Sequence, residues 1–371
     1  MHKFRALLTS IGMLAALMVA APASAAPPSP LTIPAPTGKL YVGTKTFHLV
    51  DQARVDPWVP ESGARQLMVT MFYPAWRALG APHPYMTAGE ARLFLDWLGA
   101  SEVPAEQVAQ TKSRAWVNAP AAGGSFPLIV LSPGFSYTRS TLTGLAEELA
   151  SRGYVVALIG HNYESYGTEF PDGHVTTCVA CGTANSVQIT AVRTADVGFV
   201  INRLIGPEPV WPQGFNIIDT KLIGMAGHSI GGNSASQVML NDRRVLAGIN
   251  MDGTFFAPIP ATGFTKPFLL LGNGDGHVPG GHEPSWDRDY PRLAGWKRWI
   301  TFKKSDHASF TDLTVLTDQL GLSEPGGLEG ARGLALTRTY VRAFFDQHLL
   351  GQPRPVLDGP TPENPEADFW F

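Results

Sequence analysis

The chain has 371 residues, of which 44% are hydrophobic and 16% charged, and a formal net charge of −3. That length permits one large α/β domain or two modest ones, and the apolar content excludes general disorder. The slight acidity gives no electrostatic basis for binding nucleic acid.

Residues 1–25 read as an export signal: Lys3 and Arg5 open it, Ala6 to Ala20 is apolar, and Ala23-Ser24-Ala25 is a small-residue cleavage pattern. Thr9, Ser10 and Gly12 interrupt the apolar run, leaving it too short for a membrane span, so a secreted protein is expected. Residues 26–38, "APPSPLTIPAPTG", are predicted to be a proline-rich leader with no core role. One large domain then runs from 39 to 351. "LYVGTKTFHLVD" and "ARQLMVTMFYPAW" alternate as an antiparallel strand pair, and residues 77–120 form a cap-like insertion holding one short helix.

From residue 126 the pattern becomes apolar strands alternating with helices. "FPLIVLSPG", "YVVALIGHN", "TKLIGMAGHS", "VLAGINMDG", "KPFLLLGNGD" and "KRWITFKKSDH" read as strands. Such alternation predicts a mostly parallel central sheet covered by helices on both faces. Ligands in these sheets sit beyond the carboxyl ends of the strands. The two cysteines, Cys178 and Cys181 in "TTCVACG", are expected to close a short disulfide that stiffens a loop. A metal site would need further ligands that the sequence does not place, so no metal and no organic cofactor are expected. Residues 352–371 read as a peripheral tail.

Several reactive residues fall just past predicted strand ends. Gly227-His228-Ser229-Ile230-Gly231 lies between a strand and a helix, the setting of a nucleophile elbow, with Ser229 as the nucleophile. Serine needs a base, and among ten histidines His307 in "KKSDHASF" follows the last strand, where the base of a Ser…acid…His order belongs. His228 is assigned to packing, and His161, His277 and His282 to the surface of the same rim. The acid is Asp252 or Asp275, each at a strand end between serine and histidine. The oxyanion donors are expected to be the N–H groups of Ile230 and, after "PLIVLSPG", Phe135. Tyr137, Phe255 and Trp286 are candidates for an apolar substrate wall.

With these residues placed, the chain resembles the α/β-hydrolase fold and, within it, the plasma-type platelet-activating factor acetylhydrolase family. The likeness rests on "VTMFYPA", "LSPGFSYTRSTLTGLAEELASRGYVV", "GHSIGG", "GINMDGTFFAP" and "DHASFTD", and covers roughly residues 40–350. It implies Asp252 as the acid, His307 as the base and Phe135 as the first oxyanion donor, whereas the related cutinase and polyester-hydrolase branch has its acid where Asp275 stands. The "SPGF" turn and the cysteine loop depart from the animal enzymes. The expected activity is hydrolysis of short-acyl or phospholipid-type esters through an acyl-serine, rising with pH as the base loses its proton. A polyester or triacylglycerol hydrolase is the alternative within this chemistry, and an inactive binding protein the alternative outside it. The expected partner is a small-molecule, lipid or polyester substrate; the oligomeric state is not legible.

Overall fold

The computed structural model describes residues 30–371, so the predicted export signal lies outside the described residues. The strands are β1 (Tyr41–Val55), β2 (Ala64–Ala75), β3 (Ala115–Val117), β4 (Phe126–Ser132), β5 (Val155–His161), β6 (Thr168–Glu169), β7 (Val175–Thr176), β8 (Ile218–His228), β9 (Val245–Met251), β10 (Phe268–Asn273), β11 (Lys297–Phe302) and β12 (Ala367–Trp370). The helices are α1 (Ala88–Trp97), α2 (Ala105–Ala109), α3 (Thr143–Ser151), α4 (Ser186–Ile205), α5 (Pro212–Phe215), α6 (Ile230–Asn241), α7 (Ser285–Asp289), α8 (Asp312–Leu320) and α9 (Gly330–His348). Ten strands form one sheet in the order β12-β11-β10-β9-β8-β4-β5-β2-β1-β3. The run from β11 to β5 is parallel throughout, and β1, β2 and β5 are joined antiparallel. This is the mostly parallel sheet that the alternation predicts, with the expected antiparallel N-terminal pair, in the arrangement that the resemblance to the α/β-hydrolase fold implies.

The period-2 direction of strand side chains explains why β4 is apolar along its whole length. Leu128 and Val130 face α4 and α6, alongside Val197, Val200, Ala235 and Val238. Ile129 and Leu131 face the opposite layer of α3 and α9, alongside Leu145, Leu149, Tyr340 and Phe344. Both layers are built of buried apolar side chains, and the parallel pairing sets the carboxyl ends of β4, β8, β9, β10 and β11 on one side.

Three terminal or inserted segments are more integrated than their composition predicts. The leader packs into the fold: Leu31 and Ile33 are each 2% exposed, and Lys112 exchanges backbone hydrogen bonds with them at 2.8 and 3.0 Å. Arg338 of α9 donates to the carbonyls of Pro34 and Ala35. Proline richness outweighed the alternation of Leu31 and Ile33, which is the pattern of a docked strand. The tail is likewise no loose end, since β12 pairs antiparallel with β11. The insertion carries α1, capped reciprocally by Thr87 and Glu90, then α2 and β3, and β3 extends the sheet beyond β1. Among the described residues no helix is long and apolar enough to cross a membrane.

Candidate active site

At the tight β8–α6 turn Ser229 adopts φ 56°, ψ −127°, a backbone conformation that side-chain-bearing residues rarely occupy. The turn exists because its neighbours are small. A Cβ on Gly227 would strike the Gly231 carbonyl, one on Gly231 the Ser132 carbonyl, and one on Gly232 the side chain of Asn250. Ser229 N–H is held by the carbonyl of Met251 at 2.7 Å. The residue is half-buried.

Asp252 lies one strand over, 1% exposed and at φ 57°. Its Oδ2 accepts His307 Nδ1–H at 2.6 Å. Its Oδ1 accepts the Asn273 N–H at 2.6 Å and His277 Nδ1–H at 2.8 Å, and the Asn273 amide reaches both oxygens at 2.9 Å. Burial alone would raise this carboxyl, but the hydrogen bonds and charge of the two histidines outweigh it and hold it well below the usual carboxylate range. Asp252 is therefore an anion made to order the imidazoles beside it. Asp275 stands apart: it is exposed, and its N–H turns back onto Asn273 Oδ1.

His307 begins a short 3₁₀ turn, His307–Phe310, that Asp306 caps by accepting the Ala308 and Ser309 N–H groups. Its side chain is half exposed, and its carbonyl accepts His228 Nε2–H at 2.7 Å. The two rings lie 4.6 Å apart between centroids, so His307 sits against the residue that precedes Ser229. No hydrogen bond joins Ser229 Oγ to His307 Nε2 among the described residues; in substrate-free sites this contact is often loose and tightens with the reacting group in place. His228 is buried, and burial first, then the charge of His307, pushes it down to about 3. It is a neutral packing residue, as expected, that also ties the His307 backbone to the elbow.

The loop after β4 lies against the serine. A Cβ built on Gly134 would come within 3.4 Å of Ser229 Cβ. The N–H groups of Phe135 and Ile230 have no acceptor among the described residues, and Ile230 opens α6, whose first-turn amides point out of the helix. Ser132, just before, accepts or donates to His161 Nε2 at 3.0 Å, and His161 Nδ1 meets Asp196 at 2.8 Å.

Several expectations are corrected here. Phe255 and Trp286 are 1% and 0% exposed and belong to the core; they do not line an open wall. Trp286 instead packs on the ring of His277, 4.1 Å between centroids. Tyr137 is half-buried and does face the site, stacking on His228 at 5.5 Å. Behind it stands Trp97 of α1, 43% exposed, whose ring meets Tyr137 edge-on at 5.4 Å. His161 and His277 are not surface residues but 2% and 5% exposed. His282 is exposed. Cys178 and Cys181 are joined, and the loop they close seats the buried Ala180 in one apolar cluster with Ile230 and Phe135. A cavity of about 320 Å³ lined by Thr70, Glu90 and Arg139 lies away from Ser229, as does an open groove of about 1060 Å³ along Leu40, Val42 and Trp116.

The profile of the family "Platelet-activating factor acetylhydrolase, isoform II" matches residues 31–171. A solved structure, the ferulic acid esterase from Streptomyces cinnamoneus, is 41% identical, covers 92% of this chain and all of its own, and superposes with a TM-score of 0.83. The chain belongs to the platelet-activating factor acetylhydrolase-like esterases of the α/β-hydrolase fold. Among its relatives, a probable 1-alkyl-2-acetylglycerophosphocholine esterase of Arthroderma benhamiae is 26% identical across 96% of this chain and 98% of its own length. The platelet-activating factor acetylhydrolase of Gallus gallus is 23% identical over 79% of this chain and 74% of its own. This esterase is thus a carboxylic ester hydrolase. The signal that could have placed His277 inside is "NGDGH", where Asn273 Oδ1 accepts the N–H groups of Asp275 and Gly276 and curls the loop back under Asp252.

Proposed function

We propose that the protein is an exported serine esterase that works through Ser229, His307 and Asp252 and an acyl-serine intermediate. The observation that carries this reading is the 2.6 Å bond from His307 to a buried, doubly oriented Asp252, set beside the positive-φ serine. Asp252 fixes the proton of His307 on Nδ1, leaving Nε2 free to take the Ser229 proton as Oγ attacks the ester carbonyl. The oxyanion that forms is received by the Phe135 and Ile230 N–H groups, whose lack of any other acceptor suits them to it. His307 then protonates the departing alcohol. Water, deprotonated by the same nitrogen, cleaves the acyl-serine and restores the enzyme.

The favoured substrates are short-acyl or phospholipid-type esters, in keeping with the relatives' names. A second reading, hydrolysis of ferulic acid esters, draws on the 41% identical esterase and on the aromatic shelf of Tyr137 and exposed Trp97 beside His228. An aryl acid would meet the exposed Trp97 ring there. A kinetic panel of p-nitrophenyl acetate, a 2-acetyl phospholipid, a feruloyl ester and polyester film on the purified mature chain separates these substrates. A fluorophosphonate probe tests the mechanism: it should label the wild type and leave Ser229→Ala unlabelled. Equal labelling of both would overturn the assignment of the nucleophile.

A further inference from the structure

Ser132, His161 and Asp196 are joined in the order of a catalytic triad, yet they are 0%, 2% and 0% exposed, so no substrate reaches them. What they touch is the loop that offers Phe135. Arg193 of α4 is 1% exposed. Its Nε donates to Glu164 Oε2 at 2.7 Å, Nη1 to the Pro133 carbonyl and, at 3.5 Å, to Ser132 Oγ, and Nη2 to the Gly134 carbonyl at 3.4 Å. Glu164 Oε1 accepts from Arg65 Nη2 at 3.1 Å, and Arg65 pairs with Asp196 at 2.8 Å. Asp196 returns through His161 to Ser132, which closes a ring of six buried side chains. Burial is the largest influence on His161 and lowers its affinity for a proton. The neutral ring donates from Nδ1 to Asp196 and accepts at Nε2 from the Ser132 hydroxyl, which leaves Ser132 Oγ free to accept from Arg193.

We propose that Arg193 is the positioning residue of the oxyanion loop, an inference that rests on Phe135 being an oxyanion donor. The reason is peptide geometry. In a trans peptide the C=O of Gly134 and the N–H of Phe135 belong to one plane and point in opposite directions. The Gly134 oxygen is held by the guanidinium at 3.4 Å and by the Tyr137 N–H at 3.3 Å, which fixes the Phe135 N–H on the opposite side of that peptide plane, in a loop that packs against Ser229. Beyond it the loop is pinned again, since Ser136 N–H bonds the Glu164 carbonyl at 2.9 Å and Tyr166 N–H bonds the Ser136 carbonyl at 2.8 Å. Lysine cannot replace this: one ammonium lacks the planar fork that holds a carboxylate and two carbonyls together.

The test is Arg193→Lys in the full mature chain, assayed for kcat and KM on a soluble short-acyl ester and for affinity toward a trifluoromethyl ketone, which forms a tetrahedral oxyanion adduct. Thermal melting confirms folding. The expected result is a kcat lowered by about 100- to 1000-fold, KM within threefold of wild type, and ketone affinity falling in parallel with kcat. Unchanged kcat and ketone affinity in a folded variant would overturn the proposal. If the wild type itself binds the ketone no more tightly than the substrate, the oxyanion reading fails instead, and the two failures are thereby distinguished. Should Arg193→Lys not fold, the neutral pair Arg193→Gln with Glu164→Gln, which leaves no orphaned ion, carries the same expectation and the same overturning result.

Discussion

Replacing His277 by asparagine should flatten the dependence of stability on alkaline pH. His277 is faced by Asp252 at 2.8 Å, by Glu283 at 3.5 Å, by the Asn273 amide and by the ring of Trp286; no cation is among these contacts. Burial opposes its charge, but the hydrogen bonds and charges of Asp252 and Glu283 prevail and raise it from 6.5 to about 9. Between those values the folded protein binds one more proton here than the unfolded chain. Stability from this group is therefore complete below about pH 6.5 and is lost as pH rises through about 9. At about 1.4 kcal/mol for each pH unit of separation, the loss amounts to about 3 kcal/mol. Urea unfolding of wild type and His277→Asn at pH 6 and pH 9.5 measures it, the difference between the two proteins removing every other titration. The variant should be markedly less stable at pH 6 and close to wild type at pH 9.5. A destabilisation equal at both values would refute a protonated His277 bridging two carboxylates.

Asp252→Asn should lower kcat by about 10⁴ by releasing the His307 tautomer, while Asp275→Asn, whose side chain touches neither histidine, should leave kinetics on a p-nitrophenyl ester within twofold. Gly231→Ala drives a methyl into the carbonyls of Ser132 and Pro133, and should cost about 100-fold or more in kcat by displacing the oxyanion loop, read by the same assay. Glu147 and Asp312 are fully buried, each with one unpartnered oxygen, and burial raises both to about 7. Their protonated forms favour the fold, so their contribution falls as pH rises from the ordinary carboxylate range through about 7. Glu147→Gln should accordingly stabilise the protein at pH 8 by about 1–3 kcal/mol and much less at pH 5, as measured by denaturant titration.

What could be read from residue types was whatever depends on local period. Alternating apolar strands and helices imply the parallel sheet, and the elbow glycines imply a turn that only small residues permit. Ser229, Asp252 and His307 each stand at the end of a strand, and a parallel sheet carries such ends to one rim whatever the intervening lengths. What could not be read depends on loops folding back. His277 follows β10 within a few residues, and only the Asn273 turn decides that it goes inward. Aromatic identity says nothing about facing, which is why Phe255 and Trp286 entered the core while Trp97, at the end of the insertion's predicted helix, reached the site. The ring around Arg193 draws on β2, β4, β5 and α4, and no spacing in the text relates residues so far apart.

The pairing of β12 with β11 has a consequence for how the molecule behaves in company. Without Ala367–Trp370, one margin of a ten-stranded sheet would present a bare ladder of amides and carbonyls, with Trp299 and Ile300 alongside, to any extended chain it met. β12 replaces that six-residue margin with one of four residues, and so short an outer strand leaves little ladder for a stray chain to grip.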